Sequence, residues 1–231
     1  MNEWRILPSA APAVTARFAD LDAVFALEGA TVSRDSLSHT LRVEIAGRGY
    51  YVKRYHGLGK KPLRRLLARP RVLREWENLQ RFAEWGIPTA RLVAHGLESQ
   101  GGRFLRGALI TEEIPATTDL ARLVRARDPR LESQSWWHGV SVQIAAIVRR
   151  LHGRRFAHRD LNWRNLLVDA SGKVFLIDCP SGGFWPPPVL EYRIVKDLAC
   201  LDKPARRVLS RTRRLRFYLD YAGKQRLDEA D

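Results

Sequence analysis

Asp160 stands in the run His158-Arg159-Asp160-Leu161-Asn162-Trp163-Arg164-Asn165, with an asparagine five residues after it. That spacing suits one kind of chemistry. A carboxylate such as Asp160 can accept the proton of an attacking hydroxyl, and the amide oxygen of Asn165 can ligate Mg²⁺. Two apolar runs follow, Leu166-Leu167-Val168 and Val174 to Ile177, separated by a turn over Asp169 to Gly172. They read as a hairpin that delivers a second carboxylate, Asp178, able to hold metal ions against phosphates. The bland alternative is that Asp160 and Asn165 cap a turn and Asp178 ends a strand. The loop, the apolar helix before it and the hairpin after it agree with one another, which favours the chemical reading.

The eight residues match the kinase catalytic loop H-R-D-L-x-x-x-N at every fixed position. That match directs attention to a lysine upstream, where Tyr51-Val52-Lys53-Arg54 reads as an apolar strand ending in basic residues. A lysine there contacts the nucleotide phosphates and pairs with a helix glutamate. Arg54 should face the opposite side of the strand. Glu75 and Glu77 compete for the pairing. Glu75 shares a helix face with Leu79 and Phe82, whereas Glu77 precedes Arg81 by four residues, as an exposed pair would. Glu75 is therefore the expected partner of Lys53.

Other parts of a nucleotide site are less distinct. A glycine-rich loop is expected before the lysine strand, but the matching stretch is Ala30 to Ser38, without that pattern. Ser33 and Ser36 are small enough to let backbone N–H groups approach a phosphate; the stretch reads equally well as an ordinary polar turn. Backbone groups along Glu112-Glu113-Ile114 form the expected hinge for an adenine edge, so Glu112 and Ile114 mark the base site. Asp197 fits two roles, a buried brace for the catalytic loop or an acid in the first turn of a helix.

These residues need a scaffold. His39 to Ile45 and Tyr50 to His56 read as two strands joined by a turn, and Leu73 to Trp85 as a helix ended by Gly86 and Pro88. Arg91 to Leu97 and Phe104 to Thr111 read as two more strands. Beyond a hinge at Glu112 to Pro115, Trp137, Val140, Ile144, Ile147 and Leu151 recur at helical spacing. A proline-rich segment at Pro186 to Pro188 precedes two further helices, over Lys196 to Leu201 and Arg213 to Tyr221. The expected fold class is α+β: a two-lobed protein-kinase-like fold. A small β-rich N-lobe (1–113) binds nucleotide, a mainly helical catalytic C-lobe (114–231) follows, and an active-site cleft lies between them.

The chain of 231 residues is 45% hydrophobic and 28% charged, as expected for a globular protein. No apolar run is long enough to span a bilayer, and Met1 to Val14 does not read as a cleavable signal, so the expected compartment is the cytoplasm. Cys179 and Cys200 form no metal cluster or disulfide framework. The net charge of +15 calls for a polyanionic partner: nucleic acid, an anionic membrane or a phosphorylated glycolipid. One basic cluster holds Lys60, Lys61, Arg64, Arg65, Arg69 and Arg71; another holds Arg206, Arg207, Arg211, Arg213, Arg214 and Arg216. Each could meet anionic lipid or saccharide phosphates, or be a solvated helix face. No nucleic-acid motif accompanies them, so no specific nucleic acid is expected.

The sequence resembles the lipopolysaccharide core kinase family, the WaaP and Kdo kinase-like branch of the protein-kinase-like fold. The resemblance covers nearly the whole chain after about residue 30. It rests on Tyr51-Val52-Lys53-Arg54-Tyr55, Arg74-Glu75-Trp76-Glu77-Asn78 and Gly86-Ile87-Pro88-Thr89, and on the catalytic run His158 to Leu167. Leu176-Ile177-Asp178, Lys196-Asp197-Leu198-Ala199 and Arg216-Phe217-Tyr218-Leu219-Asp220-Tyr221 extend it. It implies ATP and Mg²⁺ as cofactors, with Asn165 and Asp178 as metal ligands. It implies a heptose or Kdo hydroxyl of the inner core as acceptor, and work at the cytoplasmic face of the inner membrane. Cys179-Pro180-Ser181-Gly182 follows Asp178 where many kinases carry Phe-Gly, and the short segment beyond leaves little room for a phosphorylated activation loop. Arg159 is accordingly read as structural. The alternatives are another small-molecule or protein kinase of this fold, and a pseudokinase or scaffold at the membrane.

Overall fold

The computed structural model describes residues 2–56 and 69–226. The chain divides into two units, Met1–Arg81 with Ala90–Pro115, and Phe82–Thr89 with Ala116–Asp231. The expected boundary after residue 113 thus lies at Pro115, and Phe82–Thr89 belongs with the helical unit. Aromatic packing accounts for that exchange. Phe82, fully buried, meets the ring of Phe156 edge-on at 5.8 Å, and Trp85 meets Phe156 at 5.5 Å. Arg150 donates to the carbonyls of Trp85 and Gly86, and Leu176 N–H to that of Pro88.

The N-terminal unit is a six-stranded antiparallel sheet. Its strands are β1 (Asn2–Ile6), β2 (Ala30–Arg34), β3 (Ser38–Ile45), β4 (Arg48–His56), β5 (Leu92–Gln100) and β6 (Arg103–Glu112), in the order β1-β5-β6-β4-β3-β2. Alternation assigns its faces. Tyr50 and Val52 join Leu41, Val43 and Ile110 in a core with Val14, Phe18, Leu21 and Val24. Val14 lies on the short helix α1 (Pro12–Arg17), Phe18 caps the end of that helix, and Leu21 and Val24 lie on α2 (Leu21–Ala26). Sequence periodicity assigns nothing before Ala30, because six-residue helices are too short to show a 3.6-residue repeat. Their start signals are present all the same: Pro12 opens α1, and Asp20 caps α2 by accepting from Ala23 N–H at 2.7 Å. Lys53 and Tyr55, on the other strand parity, face α3 (Arg71–Glu84), whose buried side includes Val72, Glu75, Trp76 and Leu79.

In the C-terminal unit, α5 (Gln134–Gly153) buries Trp137, Val140, Ile144, Val148 and Leu151. It follows β7 (Thr118–Asp119) and α4 (Leu120–Arg125). Next come β8 (Phe156–Ala157), β9 (Leu166–Val168), β10 (Val174–Leu176) and β11 (Gly183–Phe184), with pairings β7-β9-β10 and β8-β11. Helices α6 (Pro187–Ala205) and α7 (Arg211–Ala222) complete it. The proline-rich segment is not separate from the helix after it. Pro187 and Pro188 are the first residues of α6, where a missing N–H costs nothing because those donors lack intrahelical partners.

One half-buried ring should make the N-terminal unit sensitive to acid. His95 stacks on Trp76 with centroids 3.7 Å apart, and its buried Nδ1 has no hydrogen-bond partner among the described residues. Burial, with a smaller push from Arg5, lowers its pKa from 6.5 to about 4. The unfolded chain therefore binds a proton that the folded unit refuses between those values. Stability should be fully present above pH 6.5 and fall as the pH drops toward 4. His95→Phe keeps the stack and removes the titration. Urea unfolding at stepped pH should show a flatter acid limb for the variant than for the wild type over that window, and identical limbs would refute the assignment.

Candidate active site

In the N-terminal unit the strand period places Lys53 opposite α3. Its ammonium donates to both oxygens of Glu75, at 3.0 and 2.9 Å, and Glu75 is only 3% exposed. Tyr55, two residues on and therefore on the same strand face, donates its hydroxyl to Glu75 as well. The structure thus pairs Lys53 with Glu75, while Glu77 meets Arg69 and Arg81. Arg54 turns the other way. Its guanidinium donates to the carbonyls of Val24 and Leu27, and burial lowers its pKa. Tyr55 went unnoticed in the sequence, although its i+2 spacing from Lys53 was the available clue.

The stretch Ala30 to Ser38 is not an open loop. It is strand β2 and the hairpin tip that leads into β3, with Ser33 in the ladder opposite Thr40 and Ser36 at the exposed tip. Asp35 caps that tip. Its carboxylate accepts from Leu37 N–H at 2.6 Å and Ser38 N–H at 2.8 Å. Despite the opposing effect of desolvation, these bonds, that of the Ser38 hydroxyl and the charge of Arg71 hold its pKa below the usual value. Two tip amides that could meet a phosphate therefore already have an anionic acceptor.

The hinge is committed in a similar way. Glu112 N–H donates to Arg91 O and Glu113 N–H to Gly49 O, so neither amide faces a base edge. Glu112 closes β6, its carboxylate held by Arg91 and Arg48; Ile114 follows. Glu113 accepts a two-pronged contact from Arg42 and a bond from the Tyr51 hydroxyl, and these hold its pKa low. Side chains that the sequence reading left without a role thus fix the hinge glutamates.

The C-terminal unit assembles the catalytic run. Asp160 Oδ1 accepts from Asn162 Nδ2 at 2.7 Å, and Oδ2 from Asn165 Nδ2 at 3.3 Å. The Asn165 amide also donates to Asp160 O at 2.9 Å, which leaves its Oδ1 for another partner. Ile177 N–H donates to Asn165 O at 3.0 Å, linking the loop to the hairpin end at Asp178. Asp178 holds a positive φ of 59° and Arg159 one of 66°, uncommon for non-glycine residues and frequent at functional sites. The Asn165 amide oxygen and the Asp178 carboxylate are hard oxygen donors of the kind Mg²⁺ takes. Among the described residues no group of three or more His, Cys, Asp or Glu side chains could hold a metal ion.

Asp197 decides between its two readings. It lies in the middle of α6, 1% exposed, and accepts from His158 N–H at 2.7 Å and Arg159 N–H at 2.8 Å. It is the brace and not a first-turn acid. His152 approaches it through Nε2 at 3.4 Å and meets the Tyr221 hydroxyl through Nδ1 at 2.9 Å. Burial lowers the His158 pKa, and the ring, stacked 5.9 Å from Phe82, serves packing. Trp163 stacks on Trp137 at 5.4 Å and donates to Leu201 O at 3.0 Å. Both indoles line an apolar cavity of about 170 Å³ with Leu198, Leu201 and Phe217.

The basic clusters separate by partner. Lys60, Lys61, Arg64 and Arg65 lie outside the described residues. Arg213 donates to Leu131 O and Glu132 O, Arg214 pairs with Asp202, and Arg216 with Asp220. Arg206, Arg207 and Arg211 are exposed and form no ion pair among the described residues.

Comparison with known proteins fits this arrangement. The chain is 31% identical over 149 residues to the lipopolysaccharide core heptose(I) kinase WaaP of Pseudomonas aeruginosa, covering 60% of this chain and 54% of that one. It is 29% identical over 127 residues to a 3-deoxy-D-manno-octulosonic acid kinase of Actinobacillus succinogenes, covering 52% and 50%. The chain thus spans about half the length of these curated relatives. A solved structure described as WaaP in complex with acyl carrier protein superposes with a TM-score of 0.69 at 26% identity, covering 96% of this chain and 89% of that one. The mixed sheet-and-helix architecture is thus that of the two-lobed kinase-like fold. The lipopolysaccharide kinase (Kdo/WaaP) family model matches residues 26–205, and the chain belongs to that family.

Proposed function

We propose that this protein transfers the γ-phosphate of ATP to a sugar hydroxyl, on heptose or Kdo, of the lipopolysaccharide inner core. The observation that carries the proposal is the braced carboxylate of Asp160 within a chain of this family. Two asparagine amides fix its orientation, so it is pre-set to align an acceptor hydroxyl and take its proton. Lys53, positioned by Glu75, supplies positive charge to phosphate oxygens. Asn165 Oδ1 and the Asp178 carboxylate would hold Mg²⁺, which neutralises phosphate charge when bound. Asp197, Asn162 and Tyr55 act as positioning residues.

The setting is part of the proposal. Among the described residues no helix is long and apolar enough to cross a membrane. Exposed Arg206, Arg207 and Arg211 suit a peripheral contact with anionic lipid at the cytoplasmic face of the inner membrane. A protein partner of the acyl carrier class is proposed too, because the solved relative was captured with one. One observation favours a second reading, a catalytically weak pseudokinase or scaffold: Asp35 already occupies two amides of the tip expected to cover the nucleotide.

Labelled γ-phosphate should pass from Mg²⁺-ATP to core saccharide stripped of phosphate. Asp160→Ala should cut the rate by about 10²–10⁴-fold while leaving ATP binding intact in a thermal-shift assay. Wild-type-level transfer by that variant would sink the assignment, and absence of Mg²⁺-ATP binding by the wild type would favour the scaffold. Asp197→Asn turns a double acceptor into a mixed donor and acceptor facing two N–H groups. It should cost about 1.5–3 kcal/mol in urea unfolding, the scale of a charge-assisted hydrogen bond, and lower kcat with KM for ATP unchanged. If an acyl carrier protein binds through the unpaired arginines, co-elution should weaken as salt rises and in an Arg206, Arg207, Arg211→Ala triple variant; salt-insensitive co-elution by both would refute that contact.

A further inference from the structure

Beyond Asp178, cations gather around aromatic rings in the C-terminal unit. The Arg159 guanidinium lies 5.4 Å from the centroid of Trp185, and that of Arg193 lies 5.0 Å from the same ring. Arg193 is also 5.6 Å from the Tyr192 ring, and the Lys196 ammonium is 5.4 Å from it. The result is an unbroken ladder, Arg159–Trp185–Arg193–Tyr192–Lys196. It starts at the residue next to Asp160 in the chain and runs onto the first turns of α6.

Ring faces hold cations in place but do not neutralise them. Arg193 and Lys196 form no ion pair among the described residues, and Glu191, the neighbouring acid on α6, pairs with neither. Arg193 Nε and Trp185 Nε1 are buried donors with no hydrogen-bond partner among the described residues. Tyr192 is 55% exposed, a large ring face open to solvent beside these charges. Arg159 also donates to Ser181 O at 3.2 Å, so the segment that carries Trp185 is tied to the catalytic run. Unneutralised cations, unsatisfied donors and an open aromatic face suit a ligand that is anionic, hydrogen-bonding and able to lay C–H groups on a ring.

We propose that this ladder is the acceptor subsite for an acidic saccharide: Arg193 and Lys196 take its carboxylate or phosphate group, and Tyr192 takes a face of the sugar ring. Arg159 and Trp185 hold Arg193 in place. The proposal rests on the sugar-kinase reading and adds which part of the acceptor is recognised, and by which residues.

The test is isothermal titration of the full chain with de-acylated inner-core oligosaccharide in three forms: native, carboxyl-reduced and phosphate-free. The native form should bind about tenfold or more tighter than one of the derivatives, and the weaker derivative identifies the anion. Arg193→Gln should reduce native binding to that weaker level, with Mg²⁺-ATP binding and thermal midpoint unchanged. Lys196→Gln, at an exposed position, should give a smaller loss in the same direction. Equal or absent binding of all three forms by the wild type, or a preference that survives Arg193→Gln, would overturn the proposal. So would a variant whose only defect is weaker binding to vesicles of anionic phospholipid, which would mark the ladder as a lipid contact. The binding readout needs no turnover, so failure of phosphate transfer alone counts against the kinase reading and not against the ladder.

Discussion

The backbone N–H groups of His158 and Arg159 point at one buried carboxylate, and much of the C-terminal unit is arranged around that fact. Asp197 reaches them from the middle of α6. Arg159 holds a left-handed backbone conformation, which costs on the order of 1–3 kcal/mol for a residue other than glycine. Each hydrogen bond to a charged acceptor returns about 1.5–3 kcal/mol, so the two together can hold the turn that presents Asp160. Three helices converge on the same carboxylate. α6 supplies it, α5 brings His152 against it, and α7 anchors His152 through Tyr221. A change in the packing of any of the three would reach Asp160 through the brace.

The N-terminal unit meets a parallel constraint with one carboxylate and two donors. A buried glutamate is unfavourable unless its charge is matched and its oxygens bonded. Glu75 meets that condition through Lys53 and Tyr55, both on one strand parity. The arrangement fixes the Lys53 ammonium, which would otherwise retain several rotamers. On the other face of the same strand, Arg54 fastens β4 to α2 through two carbonyls. Neighbouring basic residues on one strand thus take different work, one paired with Glu75 against α3 and one bound to backbone carbonyls on the other face.

Much of this was legible in the sequence because it is local. The catalytic run, the hairpin to Asp178, the α5 stripe and the choice of Glu75 over Glu77 all follow from spacing along the chain. What was not legible depends on residues far apart in sequence. Arg42 and Glu113 are 71 residues apart, His152 and Tyr221 are 69, and Lys53 and Glu75 only 22. Ala30 to Ser38 was misleading for a different reason. Its composition is that of a polar turn, and only its pairing with β3 shows that the first half is strand and that Asp35 occupies the tip amides. The hinge repeats the lesson, since no side-chain pattern announces that the amides of Glu112 and Glu113 already have carbonyl partners.

Net charge is the coarsest of the sequence observables, and the structure shows why. A surplus of +15 says nothing about where charge is unopposed. Arg42, Arg91, Arg106 and Arg130 each lie against a carboxylate, as do Arg214 and Arg216. Exposed charges are screened over about 8–10 Å at physiological ionic strength, so a paired arginine contributes little field to a distant ligand. What a partner meets is the local remainder. On α6 and the turn after it, that remainder includes Arg193, Lys196, Arg206 and Arg207, with Arg211 at the start of α7. The same helix that braces the His158–Asn165 loop from its buried side therefore carries cations without acidic partners among the described residues elsewhere along its length. The proposed anion subsite and the brace behind Asp160 thus share one helix.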